Sequence, residues 1–163
     1  MTQRRISIGN DLHLNVRSVG EGPAVLFIHG WSLSGEVWDR QLRVVAEAGY
    51  RAIAMDLRGY GDSGRPAPDA HHHAYSKREM AADALAVMAH FGFHRFQVLA
   101  HDRGARVAHR LALDHSAAVE RMMLLDIAPT LAMYEGTTMA FAQAYWHWFF
   151  LIQPEPLPEQ VLG

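Results

Sequence analysis

Asp102 is the residue whose setting most invites chemistry. It stands at the tip of a turn in Phe96 to Arg110, FQVLAHDRGARVAHR, where an apolar strand pattern passes through a small-residue bend straight into a helical one. Ala100 and Gly104 allow close backbone approach around the bend, giving the pattern small-x-Asp-x-Gly. That is the strand–turn–helix context of a nucleophile elbow, with aspartate where many elbows carry serine and Ala100 where glycine is usual. A carboxylate is ionised at neutral pH and needs no base to become a nucleophile. The competing reading is an ordinary helix-capping aspartate on a βα turn. His29-Gly30-Trp31, Asp56 and Asp126 each follow other short apolar runs. If those runs are parallel strands of one sheet, all four places fall at strand carboxyl ends and gather on one rim, which favours the nucleophile.

The elements that would do this positioning can be read in chain order. Arg5 to Ile8 and Leu12 to Val16, around Gly9-Asn10-Asp11, predict a β-hairpin at the sheet edge. Ala24 to Ile28 is an unbroken apolar run of the kind buried on both faces. Gly35 to Ala48 predicts a helix with Val37, Trp38, Leu42, Val45 and Ala46 on one face and Gly49 closing it. Ala52 to Met55 is the next strand, followed by the glycine-punctuated loop Asp56 to Gly64. Ser76 and Glu79 form a capping box for a helix that turns Met80, Ala84, Val87, Met88 and Phe91 inward and ends at Gly92. The elbow strand follows, then a helix from Arg103 to Asp114 through Val107, Leu111 and Leu113, with Arg110 and Asp114 as a surface pair. A strand from Arg121 to Leu125 ends at Asp126. Alternating strands and helices predict right-handed βαβ units, hence an α/β fold with a mainly parallel sheet and helices on both faces. Near residue 130 the pattern gives way to an aromatic helical stretch from Tyr134 to Leu151, so residues 1–130 read as the core and residues 131–163 as the start of a lid.

Composition sets the outer limits. The 163 residues are half apolar, enough for one domain with a real core. Fifteen basic against 17 acidic residues leave no excess that would suggest nucleic acid or a polybasic membrane surface, so small molecules are the expected partners. Without cysteine there are no disulfides and no thiolate metal sites, and His71-His72-His73 lacks a second ligand cluster at metal spacing and reads as an exposed loop. No metal and no cofactor are implied. No signal segment or membrane-length apolar run is present, so a soluble cytoplasmic protein is expected.

His-Gly-aromatic after one strand, DLRGYGDS after the next, HDRGAR at the elbow, LLDIAPT one strand later, then YWHW and QPEPLPEQVLG, together resemble the fluoroacetate (haloacetate) dehalogenases of the α/β-hydrolase superfamily, from about residue 24 to the last residue. Related haloalkane dehalogenases and epoxide hydrolases usually carry tryptophan after the nucleophile, where this chain has Arg103. The resemblance implies Asp102 as nucleophile, Arg103 and Arg106 as the substrate-carboxylate clamp, and Asp126 as the acid that orients a catalytic histidine. It further implies His147 and Trp148 as halide donors, and the backbone N–H groups of Trp31 and Arg103 as the oxyanion hole. The implied reaction is hydrolytic dehalogenation of short 2-haloacids through an aspartyl ester, by a homodimer. Guanidinium forks suit a carboxylate and N–H donors suit a leaving fluoride in a dry site. Read without the resemblance, Arg106 could pair with an internal acid, Arg103 could face solvent, and the Tyr145 to Phe149 aromatics could be lid core.

The pattern also departs from the family. Its catalytic base is a histidine near the end of a full-length chain, and no histidine follows His147 here. The resemblance therefore implies that this sequence represents roughly the first half of such a hydrolase, with further strands, the rest of the lid and the histidine absent. Trp31-Ser32-Leu33-Ser34 lacks a proline expected there in many dehalogenases and epoxide hydrolases, which bears on substrate preference. Two alternatives stay open: an epoxide hydrolase using the same aspartate, and a catalytically incomplete half that binds small carboxylates or complements another chain.

Overall fold

Among the described residues six strands form one sheet in the order β1-β2-β4-β3-β5-β6, comprising β1 (Thr2–Ser7), β2 (His13–Val19), β3 (Ala24–Ile28), β4 (Arg51–Met55), β5 (Phe96–His101) and β6 (Val119–Leu125). The structure is a computed structural model that describes residues 1–9, 11–69 and 71–162. Asn10, the centre of the predicted hairpin turn, lies outside the described residues, as do Ala70 and Gly163. β1 and β2 pair antiparallel and β1 is the sheet edge, as expected; both strands run longer than the apolar pattern because their register continues through Thr2↔Ser18. The four strands β4, β3, β5 and β6 run parallel.

Alternate residues of the central strands feed two cores. Val25, Phe27, Ala52 and Ala54 pack on one face with Trp38 and Leu42, the latter from helix α1 (Asp39–Glu47). Leu26, Ile28, Ile53, Met55, Val98 and Ala100 pack on the other with Met80, Ala84, Val87 and Met88 of α2 (Lys77–His90) and Val107 and Leu111 of α3 (Arg103–Asp114). Helices thus cover both faces, and strands buried on both sides explain the unbroken apolar run AVLFI. The expected capping box opens α2, where the Ser76 hydroxyl accepts from the Glu79 amide at 3.2 Å.

Two inward positions are corrected. The segment after Ser34 starts as a 3-10 turn (Gly35–Trp38) and only then becomes α1, so Val37 falls off the buried stripe and is 47 % exposed. Leu113, in the last turn of α3, is 64 % exposed, because the buried stripe of that helix runs through Val107 and Leu111.

The chain divides into two compact units, Met1–Ile127 and Ala128–Gly163. Among the described residues the second holds four short helices, α4 (Thr130–Glu135), α5 (Met139–Ala144), α6 (Trp146–Leu151) and α7 (Leu157–Leu162). Within it Phe141 stacks on Tyr145 at 4.8 Å, and Tyr134 meets Trp148 and Phe149 at 6.0 and 6.1 Å between ring centroids.

Candidate active site

Asp102 joins β5 to α3 with φ 48° and ψ −117°, a backbone region that a residue with a side chain seldom enters. Three features hold it there. Its amide donates to the Leu125 carbonyl at 3.2 Å, and its carbonyl accepts from the Ala105 and Arg106 amides. Gly104 lets the first turn of α3 press against β3, since a Cβ there would collide with the backbone carbonyls of Ile28 and His29. The Asp102 side chain makes no capping bond to its own helix, which removes the capping reading. Its Oδ1 instead accepts from the Trp31 amide at 2.8 Å.

The Trp31 amide is aimed by the turn after β3. A Cβ on Gly30 would come within 2.9 Å of the Asp102 Cβ and 2.8 Å of the His101 ring, so only glycine lets this turn lie beside the elbow. His29, fully buried, locks the turn: its Nδ1 donates to the Gly30 carbonyl at 2.8 Å while its Nε2 accepts from the Leu57 amide at 2.9 Å. Those two bonds select the neutral Nδ1–H tautomer, and burial accordingly lowers the ring's pKa. Among the described residues the Trp31 amide is bonded to the Asp102 carboxylate and the Arg103 amide is not.

Asp56, at the end of β4, is fully engaged in building the rim. Its Oδ1 accepts from the Gly35 amide at 2.6 Å, and its Oδ2 from the Asn15 side chain at 2.9 Å and the Asp62 amide at 3.0 Å. It is scaffold. Asp126, one residue beyond β6, has φ 55°, is exposed, and its carboxylate has no hydrogen-bond partner among the described residues. The four strand ends thus set Trp31, Asp56, Asp102 and Asp126 along neighbouring parallel strands.

Arg103 is half-buried, not splayed into solvent: its guanidinium lies over the Tyr60 ring at 5.8 Å, and its Nε is buried without a hydrogen-bond partner among the described residues. Arg106 is 8 % exposed. Sequence reasoning missed a third cation here, Lys77 at the start of α2. Burial, with repulsion from Arg103 and Arg106, pulls its ammonium down to about 8 against the opposing attraction of Asp102. Also missed was the buried pair Arg58–Asp83, with Nε and Nη2 donating to the two carboxylate oxygens at 2.7 and 2.6 Å. The signal was available, for Asp83 sits three residues after Met80 on the buried face of α2. The Arg110–Asp114 pair forms as expected, with Arg78 of α2 also donating to Asp114 at 3.1 Å.

His147 and Trp148 belong to the second unit, consecutive on α6, His147 exposed and Trp148 half-buried. His147 lies 5.9 Å from the Tyr145 ring. Among the described residues no group of three or more His, Cys, Asp or Glu side chains could hold a metal ion, and no helix is long and apolar enough to cross a membrane.

The family model for the alpha/beta hydrolase fold matches residues 23–163. The chain belongs to the alpha/beta-hydrolase family. Within that family it is 43 % identical over 161 residues to the fluoroacetate dehalogenase of a Burkholderia species, covering 99 % of this chain and 53 % of that protein. This agrees with the resemblance carried by the motifs. The soluble epoxide hydrolase of Corynebacterium sp. (strain C12) is 34 % identical over 122 residues, 75 % of this chain and 41 % of that one. Among solved structures, one from Nostoc sp PCC 7120 assigned to the alpha/beta hydrolases superposes with TM-score 0.92 at 48 % identity, covering 99 % of this chain and 55 % of its own. This alpha/beta-hydrolase chain therefore spans about half the length of the curated relatives it matches.

Proposed function

We propose that this chain carries the nucleophile, substrate clamp and leaving-group donors of a hydrolase that dehalogenates short 2-haloacids such as fluoroacetate. The observation that carries the reading is Asp102, held in a strained elbow, relieved of any capping duty, with an amide aimed at its carboxylate and cations beside it. The likeness to the Burkholderia fluoroacetate dehalogenase supports the substrate class.

In this reading the free Asp102 oxygen attacks the carbon that bears the halogen; a carbon–oxygen bond forms, the carbon–halogen bond breaks and halide leaves with the electron pair. Arg103 and Arg106 hold the substrate's carboxylate so that this carbon faces Asp102. His147 and Trp148 donate N–H bonds to the departing halide, residues 131–163 being read as the start of a cap domain and residues 1–130 as the core. Water then attacks the Asp102 carbonyl carbon, and the negative charge that develops on the aspartyl oxygen is met by the Trp31 amide, with the Arg103 amide as the second donor. That step needs a general base, and Asp126 is the carboxylate that would orient a histidine for it. The same resemblance carries a homodimer.

Epoxide hydration by the same aspartate is the second reading, favoured by the likeness to the Corynebacterium soluble epoxide hydrolase and by Tyr134 and Tyr145 in the second unit as proton donors to an epoxide oxygen. A third is a catalytically incomplete half that only binds small carboxylates. Halide release from fluoroacetate and chloroacetate, beside diol formation from epoxides, separates them. The proposal expects halide release, sustained where a base histidine is supplied and limited to one halide per chain with an ester left on Asp102 where it is not, and lowered at least roughly a thousandfold by Asp102→Asn. Diol without halide selects the epoxide reading, and neither product selects the binding half.

A further inference from the structure

We propose that Tyr60 is a positioning residue of the substrate site: its ring face carries the Arg103 guanidinium and leaves that group's N–H donors for a carboxylate on the substrate. The inference rests on the function proposed above, which makes Arg103 part of the clamp. The Arg103 Cζ lies 5.8 Å from the centre of the Tyr60 ring, within reach of the attraction between a cation and an aromatic face. Among the described residues the Arg103 side chain makes no ion pair and no hydrogen bond, and its Nε is buried. The directional contact that fixes the guanidinium is therefore the ring. An acidic partner would occupy the same in-plane N–H groups that a substrate carboxylate needs, whereas a ring attracts the cation through its face and takes none of them.

Tyr60 is itself held firmly. It lies in the loop after β4, where its amide donates to the Leu57 carbonyl and its carbonyl accepts from the Ser63 amide, each at 3.0 Å. Its two neighbours seat the loop closely, since a Cβ on Gly59 would meet the Tyr75 ring at 2.8 Å and one on Gly61 would collide with the Asp56 carboxylate. The Tyr60 ring also meets the His29 ring edge to face, 5.3 Å away and at 66°. His29 bonds the Gly30 carbonyl and the Leu57 amide, so one half-buried ring joins the carboxylate clamp to the turn that aims the Trp31 amide at Asp102. The Tyr60 hydroxyl makes no hydrogen bond among the described residues. Burial pushes the phenol above its usual 10, so at neutral pH the contact is that of an uncharged ring with a cation.

The test is calorimetric binding of glycolate, with acetamide as the neutral control, to the wild-type protein and to Tyr60→Phe and Tyr60→Leu. Glycolate affinity is expected to fall about tenfold in Tyr60→Leu, the scale of one desolvated cation–ring contact, and to stay within about twofold of wild type in Tyr60→Phe. Acetamide should not distinguish the three proteins. The second readout is solvent exchange of the Arg103 Nε–H, followed by NMR and assigned by the loss of its signal in Arg103→Lys. Exchange should be slow in wild type and in Tyr60→Phe, and at least about tenfold faster in Tyr60→Leu. Fast exchange in wild type, which needs no variant to fold, overturns the inference. So do the absence of glycolate binding by wild type, glycolate binding that ignores Tyr60→Leu, and equal losses in Tyr60→Phe and Tyr60→Leu. Equal losses for glycolate and acetamide in Tyr60→Leu would mean packing alone and overturn it too. Halide release is read separately: release beside glycolate binding that ignores Tyr60 leaves the dehalogenase reading standing without this one. Tyr60-dependent glycolate binding without release does the reverse.

Discussion

At the scale of single residues, the elbow is a balance between backbone strain and the contacts that enforce it. A residue at φ 48° and ψ −117° costs on the order of 1–3 kcal/mol, offset by the bonds from Leu125, Ala105 and Arg106 and by the close seat that Gly104 permits. What the strain secures is a carboxylate turned away from its helix and toward the Trp31 amide. Gly30 is the most sensitive neighbour, because an added Cβ would meet the Asp102 carboxylate at 3.1 Å. Gly30→Ala should therefore lower halide release by about a hundredfold, as expected for a displacement of roughly 1 Å at a reacting group. Its melting temperature should fall by only a few degrees. A variant that keeps full activity would show that the Trp31 turn does not position Asp102.

At the scale of elements, the parallel strand ends and their loops make the rim, and the loop after β4 is anchored from behind by Arg58. That guanidinium spans Asp83 on α2 and the Ala74 carbonyl at 2.6 Å, while Tyr60, two residues on, forms the shelf under Arg103. Both side chains of the Arg58–Asp83 pair are buried, and burial pulls the Asp83 carboxyl up even as Arg58 pulls it down. Removing one partner strands the other: Asp83→Ala should cost about 3–5 kcal/mol in denaturant unfolding, with Arg58→Ala similar and the double variant far from additive. Additive losses would mean that the pair is not a unit. The elements themselves were legible where their signals are local. AVLFI, the Ser76–Glu79 box and the elbow turn each announce themselves within a few residues, and the rim follows from the rule that ligands meet parallel strands at their carboxyl ends. Val37 and Leu113 were misplaced because an apolar residue near a helix end says little about which way the last turn winds. Asp83 could be read as buried but not as paired, since Arg58 comes from the loop after β4, and Lys77 escaped notice because no spacing within α2 records that α3 lies beside it.

At the scale of the whole molecule, the chain holds an alpha/beta-hydrolase core with the Asp102 elbow, and a second unit with four short helices among the described residues, whose aromatic residues pack on one another. Family membership and fold do not by themselves choose a reaction, since dehalogenase and epoxide hydrolase relatives share this half. The choice rests on whether Asp102 becomes esterified. A single turnover of fluoroacetate with excess protein in oxygen-18 water reads this directly, with Asp102 examined by peptide mass spectrometry. In the proposed sequence the oxygen carried away in glycolate comes from Asp102 and is replaced from solvent. The account predicts label in the Asp102 peptide, or a persisting ester on it, with unlabelled glycolate. Label in the glycolate and none in Asp102 would mean direct attack by water and would contradict it.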